Sequence, residues 1–525
     1  MKNIEVILNY NYGYRWYSTN NIKVKGYFFD EKNFLYENEN LLNYFKNIIT
    51  EEEFKNAISN INGIFSVIIQ KEKNIMLAVD KTRTFPLFYL NNENELIISD
   101  DTYYLKKNYK NDLDEINSDE FLSLGFVMGK ETLLQNIFQV QAGEFLISDN
   151  NRLKKEFYSD YLTEKTSTKS FDDLKSEFLY ILKDSIQRIV KLANGRQIVL
   201  PLSGGYDSRL IASLLKQADY ENIFCFTYGN IKNPEVIISE KVAKELSFNW
   251  LFVEYNKQTV NQDFSQSNEF QKYYKFASNH VSIFHTQDYF AVKYLHDNKI
   301  INDDAIFVPG HGGDFLAGKH LGKAEIANKN NVIDIIYQKL HALLNKKTFK
   351  NKIALKEKIS SLTKVKKENI KDEFFYSIEE NFILLEKQSK FLVNAQRIYE
   401  YFGYQHVMPL LDNELIEFFR DLPLKYKINS YFYEKSIFKD IFENMNINYK
   451  KDLEINDKTK DKIKNVIRKF LPNFLEDIIM KYKFKDMYRS SLIVIPLLKK
   501  IDEIIPVRLG NLIIAKWYIS KVKLK

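Results

Sequence analysis

The sequence predicts two folded parts, a sheet-rich one followed by an α/β one with a parallel sheet and a helical C-terminal region. Up to about Asp160, short runs of β-branched and aromatic residues alternate with Asn, Asp and Gly turns. Beyond Phe171, strand-like apolar runs alternate with segments of helical period. The length of 525 residues calls for more than one core.

In the first part, residues 1–160, strands are expected at Ile4–Leu8, Gly63–Gln70, Ile75–Val79, Leu96–Ser99 and Glu144–Ile147. Only Lys71-Glu72-Lys73-Asn74 separates the second of these from the third, so an antiparallel hairpin is expected there. Thr163–Ser170 reads as a linker to the second part, residues 171–525. Phe171–Leu192 carries Leu174, Phe178, Ile181, Leu182, Ile186 and Ile189 at helical spacing. Strands at Ile198–Leu202, Ile223–Thr227, Trp250–Val253 and Ile306–Val308, with a helix around Val236–Leu246, imply a parallel sheet covered on both faces. From about Lys319 the chain is mainly helical, and the charged stretch Lys346–Lys371 reads as a solvated helical hairpin.

Hydrophobic residues at 45% exclude wholesale disorder, and a net charge of +7 is too mild for a general nucleic-acid binder. The excess is local. From Lys450 to Lys525 there are 19 basic and 9 acidic side chains, which fits a solvated lysine surface or a peripheral contact with an anionic surface. A single cysteine, Cys225, excludes an intrachain disulfide and suits a reducing compartment. No leader pattern is visible and no apolar run approaches the ~18 residues of a spanning helix, so a cytoplasmic location is expected.

The chemistry concentrates in Pro201-Leu202-Ser203-Gly204-Gly205-Tyr206-Asp207-Ser208-Arg209, set between an apolar strand and an apolar-periodic helix. Gly204 and Gly205 let the backbone approach an anion, Ser203 and Ser208 add hydroxyls, and the helix start adds free N–H groups. This combination suits a pyrophosphate; the alternative is a merely structural turn. The lysine of the G-x-x-x-x-G-K-[ST] loop is missing. Asp207 is instead positioned to hold Mg²⁺, which takes one or two carboxylates and fills its remaining positions with phosphate and water. Attack at an α-phosphorus follows.

These residues resemble the PP-loop of ATP pyrophosphatases, and further segments narrow the likeness to asparagine synthetases. Phe226-Thr227-Tyr228-Gly229 is similar to their adenosine-side segment, which implies nucleotide contacts at Thr227 and Gly229 as well as at Leu202, Ser203, Gly204, Gly205, Asp207 and Ser208. Pro309-Gly310-His311-Gly312-Gly313-Asp314-Phe315-Leu316-Ala317-Gly318 resembles the family's second glycine-rich loop. That implies nucleotide contacts at Gly310 and Gly312 and a second magnesium ligand in Asp314. Gly403–Asp412 and Glu434-Lys435-Ser436-Ile437 resemble two later segments. Asn62–Ser66, Asp80–Tyr89, Gly125–Val127 and Gly143–Leu146 follow the order of the family's glutaminase domain. The fold implied is an α+β sandwich like that of N-terminal nucleophile hydrolases, followed by an α/β PP-loop ATP pyrophosphatase domain.

The chain also departs from the family. Its glutaminases use a cysteine exposed after Met removal, whereas Met1 is followed here by Lys2, and Gly26–Asp30 replaces their Asn-Gly-Glu segment. Loss of glutamine hydrolysis is expected. His311 stands where the family has glutamate or, in the related β-lactam synthetases, tyrosine. A histidine there suits a general base for an incoming amine; a phosphate contact or loop lining is the alternative. Lys435 is expected to steady charge at the α-phosphate, unless it is an ordinary surface lysine, and Glu400 to orient His311.

The function expected is an ATP- and Mg²⁺-dependent, AMP- and pyrophosphate-forming amide ligase. Its substrates would be a small-molecule, peptide or glycan carboxylate, with ammonia or an amine as nitrogen donor. A retired nucleotide- or partner-binding protein is the alternative. Sulfur transfer to tRNA is discounted for want of reactive cysteines.

Overall fold

A computed structural model of the chain describes residues 3–71, 74–109, 111–149, 152–340, 352–449, 490–501 and 509–523. The first part contains β1 (Asn3–Ile7), β2 (Tyr17–Ser18), β3 (Ile22–Phe29), β4 (Leu35–Glu37), β5 (Asn62–Lys71) and β6 (Asn74–Val79). It continues with β7 (Phe88–Asn91), β8 (Glu95–Ser99), β9 (Ile137–Gln139), β10 (Glu144–Asp149) and β11 (Arg152–Phe157). One sheet has the order β1-β8-β7-β9. The other runs β11-β10-β6-β5-β3-β2, with β4 on β3. The expected hairpin is present, closing at Lys71 opposite Asn74.

The period of two along these strands creates the layers. Phe65, Val67 and Ile69 of β5 face the helices Asn40–Phe45 and Glu51–Ser59, burying Leu41, Phe45, Phe54 and Ile58. Ile68 of β5 and Ile75, Leu77 and Val79 of β6 turn the other way, onto Leu87, Tyr89, Leu96 and Ile98 of the second sheet's side. That sheet's far face, with Phe88, Leu90 and Ile97, packs on Leu105 of the helix Thr102–Tyr109. The result is helix, sheet, sheet, helix. The strand-centred reading missed the helices, although Thr50 and Glu53 form a capping box with both of its hydrogen bonds made.

The second part is built on five parallel strands, β12 (Ile198–Pro201), β13 (Ile223–Gly229), β14 (Asn249–Glu254), β15 (Ile306–Phe307) and β16 (Gln405–His406). Their order is β14-β13-β12-β15-β16. Ile198 and Leu200 point into a cluster with Leu182, Ile186, Leu210 and Leu214, from the helices Phe171–Ala193 and Tyr206–Gln217. Val199 points into the opposite cluster with Phe226, Phe307 and Tyr399. Both faces are therefore covered, as expected. From β12 the chain steps outward to β13 and β14 on one side, while β15 and β16 lie on the other. Loops leaving the carboxyl ends of β12 and β15 thus diverge and leave a crevice.

The charged stretch docks rather than floats. Its helix Lys352–Asn369 buries Leu355 and Ile359, and Lys358 bonds Glu120 at 2.7 Å. Residues 341–351 and most of the basic tail from 450 lie outside the described residues. The tail's helix Gly510–Lys523 buries Trp517 and Tyr518 against Phe121, Tyr274 and Phe284. No helix among the described residues is long and apolar enough to cross a membrane.

The two parts share buried contacts. Asp412, at the start of the helix Asn413–Arg420, accepts from Arg188 Nε at 3.0 Å and Nη2 at 2.9 Å, and from Asn62 Nδ2 of β5 at 3.1 Å. Burial pushes the Asp412 carboxyl up while Arg188 and Asn62 oppose it. Arg188→Met strands this buried carboxylate and is expected to cost about 3 kcal/mol, read by urea denaturation. A loss below about 1 kcal/mol would contradict the role given to the contact.

Candidate functional site

The loop after β12 folds on its own hydroxyls. Ser203 N donates to Ser208 Oγ and Gly205 N to Ser203 Oγ, both at 3.1 Å, and the two Oγ atoms are 3.1 Å apart. Leu202 is buried beneath it, and Leu202 N continues the ladder to Phe226 O at 2.8 Å. Buried Arg209 pins the loop from behind, donating to Gly204 O at 2.9 Å, Ile447 O at 3.0 Å and Tyr449 O at 2.7 Å. The helix Tyr206–Gln217 starts here, so its unpaired N–H groups and dipole favour an anion.

The glycine loop after β15 lands directly on this turn. A Cβ on Gly310 would lie 2.8 Å from Ser208 N, and one on Gly313 only 2.2 Å from Asp207 Cγ. Only glycine permits that approach. Gly312, with φ +97°, rests against Leu411 and Leu410 O. Asp207 and Gly313 are therefore in contact, and Asp314 follows on the short helix Gly313–Leu316. Asp207 Oδ1 accepts from Tyr433 OH at 2.9 Å. Burial, then Asp207, Asp314 and Glu434, hold the Tyr433 hydroxyl protonated, well above the usual phenol range.

Asp314 is 71% exposed and paired with Lys319. Burial would lower the Lys319 ammonium, but Asp314, Asp207 and Glu434 outweigh it and hold it above its usual value. Among the described residues no group of three or more His, Cys, Asp or Glu could enclose a metal ion. Two carboxylates beside a turn whose geometry favours an anion fit magnesium, which draws its other ligands from phosphate and water. The Lys319 ammonium occupies the position of a counter-ion to Asp314.

On the other side of the glycine loop lies His311. Its Nδ1 is buried without a hydrogen-bond partner. Burial lowers its pKa from 6.5, while Asp288 and Asp314 oppose. Asp288 is anchored by Tyr228 OH at 2.5 Å and Tyr399 OH at 3.0 Å. His285, donating from Nε2 to Phe391 O at 2.7 Å, is held near pKa 4 mainly by burial.

Glu400 has other partners than the one expected. Fully buried, it faces Lys25 at 3.6 Å and Arg397 at 3.4 Å, whereas the carboxylates acting on His311 are Asp288 and Asp314. Lys435 is exposed on the helix Tyr431–Ile437, two residues from Tyr433. Thr227 and Gly229 stand at the carboxyl end of β13, beside the loop of β12. Sequence reasoning missed Tyr433 and Lys319, although each adjoins a segment it singled out. Asp288 carries no sequence pattern at all.

The asparagine synthase family model matches residues 181–478, and the glutamine amidotransferase domain model matches residues 41–159. No curated protein matches the chain. Among solved structures, an NH₃-dependent NAD synthetase from Campylobacter jejuni is 18% identical over 41% of this chain and 94% of its own, with a TM-score of 0.22. An allosteric regulatory enzyme of purine biosynthesis is 11% identical over 45% of this chain and 61% of its own, with a TM-score of 0.19. A glutamine phosphoribosylpyrophosphate amidotransferase from B. subtilis is 12% identical over 57% of this chain and 58% of its own, with a TM-score of 0.17. The chain thus spans about three fifths of the last two.

Adding one methyl at the contact of the two loops tests its tightness. Gly313→Ala is expected to destabilise by about 1–3 kcal/mol, because the overlap falls on Asp207. Gly322→Ala, with nothing within 4 Å of the new Cβ, is the control expected to change stability by less than about 0.5 kcal/mol. Chemical denaturation of both variants reads the difference.

Proposed function

Because the chain belongs to the asparagine synthase family, we propose that it is an ATP-dependent carbon–nitrogen ligase releasing AMP and pyrophosphate. A carboxylate oxygen attacks the α-phosphorus of ATP, the α–β phosphoanhydride bond breaks, and pyrophosphate leaves. Ammonia or an amine then adds to the acyl carbon of the acyl-adenylate. The C–N bond forms, the C–O bond to AMP breaks, and the nitrogen gives up its proton. The observation that carries this reading is the contact of Gly313 with Asp207 at the crevice between β12 and β15.

Leu202, Ser203, Gly204, Gly205 and Ser208 hold the pyrophosphate end, Thr227 and Gly229 border the adenosine, and Gly310 and Gly312 let the second loop close on the nucleotide. Asp207 and Asp314 would hold magnesium, which would neutralise phosphate charge when bound. Lys435 adds a cation near the departing pyrophosphate. His311, uncharged near neutral pH, accepts the proton of the attacking nitrogen, and Asp288 offsets the imidazolium charge that results. Glu400 acts at the contact between the two parts, not in this step.

The nitrogen comes from free ammonia or an amine and not from glutamine. The only thiol of the sequence, Cys225, is buried in β13 of the second part, where burial pushes its pKa up and disfavours the thiolate. The first part keeps the sandwich of an N-terminal nucleophile hydrolase as a scaffold. The carboxylate is a small molecule or is borne on a peptide or glycan, and the basic tail contacts an anionic surface.

Incubation with ATP, Mg²⁺ and a panel of carboxylates and amines is expected to yield AMP by mass spectrometry, with product formation unaffected by glutamine-site inhibitors. Asp207→Ala and Asp314→Ala are each expected to lower pyrophosphate release at least about 100-fold while the proteins still fold; near-wild-type release would sink the reading. Burial lowers the pKa of His311, so it takes up its proton at lower pH than an ordinary histidine does. The His311-dependent acid limb of the pH–rate profile should therefore lie below 6.5, and should disappear in His311→Gln. An acid limb above 6.5 assigned to His311 would contradict its role.

A further inference from the structure

We propose that Lys319 is a transferable counter-ion of the crevice. In the free protein it rests on Asp314; when nucleotide enters, it swings onto the β/γ-phosphates and leaves Asp314 to the divalent cation. The inference rests on the reading of this crevice as an ATP site and adds a residue and a coupling to it.

Three observations converge. The first is the anchoring of the backbone below the lysine. Gly318, at φ +69°, approaches so closely that a Cβ there would lie 2.5 Å from Lys427 O, and Lys427 is itself buried on Glu380 at 2.9 Å. The backbone just before Lys319 is thereby held while the lysine side chain remains half-exposed. Second, the pair it makes is half open to water: the side chains of Lys319 and Asp314 are 46% and 71% exposed. An ion pair that exposed is weak and readily exchanged. Third, the carboxylates of Asp314, Asp207 and Glu434 all act on the ammonium. Carboxylates gathered this closely oppose a polyphosphate until cations compensate.

A divalent cation that takes Asp314 displaces Lys319, and the released ammonium meets the phosphates that the same cation attracts. A charge-assisted bond to phosphate there is stronger than the wet pair it replaces. Lysine suits the exchange, being a compact charge on a flexible stem. Metal and pyrophosphate therefore favour each other's binding through Lys319, and the effect is reciprocal.

The test uses the full-length protein and direct binding, with no turnover. Mn²⁺ affinity is read by electron paramagnetic resonance with and without pyrophosphate, and pyrophosphate affinity by calorimetry, for wild type, Lys319→Met and Lys319→Arg. In Lys319→Met, Mn²⁺ alone is expected to bind about threefold tighter, since its competitor for Asp314 is gone. Pyrophosphate is expected to bind about tenfold weaker. Lys319→Arg, which keeps the charge, should stay within about twofold of wild type for Mn²⁺. The proposal is overturned if Lys319→Met binds Mn²⁺ no tighter or pyrophosphate no more weakly than wild type does. A wild-type protein that binds no pyrophosphate overturns the ATP-site reading and this inference with it.

Discussion

The contact between Gly313 and the Asp207 carboxylate is the constraint on which the rest of the site depends. It exists because two loops that leave a parallel sheet at the reversal of strand order start at the same level. β12 and β15 pair Ile198 with Ile306 and Val199 with Phe307, and Val308 N continues to Val199 O at 2.9 Å. From there both chains must turn over the same edge. Any side chain at position 313 would occupy the space of the carboxylate. Tyr433, which donates to Asp207, and Lys319 and Asp314 are then arranged around this carboxylate.

The contact between the two parts bears on the same loop from behind. β16 carries Gln405 and His406 and runs on into Pro409–Leu411, where Leu411 supports Gly312. Tyr14 OH of the first part donates to His406 O at 2.9 Å, and Asn62 bonds Asp412. Lys25, Glu400 and Arg397 form a buried ionic group alongside. Such groups add little net stability, but removing one member strands the others. The first part is thus a wall that holds the segment on which the glycine loop leans, a task that survives any change in its own chemistry.

The regular elements were legible wherever period and punctuation agreed. The β5–β6 hairpin, the helix Phe171–Ala193 and four of the parallel strands follow from alternation, helical spacing and short polar breaks, whereas the two-residue β16 was not anticipated. The helices Asn40–Phe45 and Glu51–Ser59 were less visible, because polar and aromatic residues share so short a span that no period builds up. The insertion's helix looked solvated because its lysines and glutamates outnumber its apolar residues. Yet Leu355 and Ile359 lie one turn apart and suffice to dock it.

Within the site, the Ser203 to Ser208 loop could be read directly from residue types at fixed spacing, and the Gly310 to Asp314 loop through its resemblance to a family segment. Groups brought in from elsewhere could not. Asp288 reaches His311 only because Tyr228 and Tyr399, 171 residues apart in the chain, both anchor it. Glu400 sits on a helix whose orientation turns it toward Lys25, not toward the crevice. The sequence alone marked the two loops and their glycines, since a close backbone approach dictates that residue type, and a family resemblance pointed to the aspartates. Only the tertiary structure decided which lysine, tyrosine and carboxylate complete the site, because strand order and helix rotation, which set through-space neighbours, depend on packing over the whole chain.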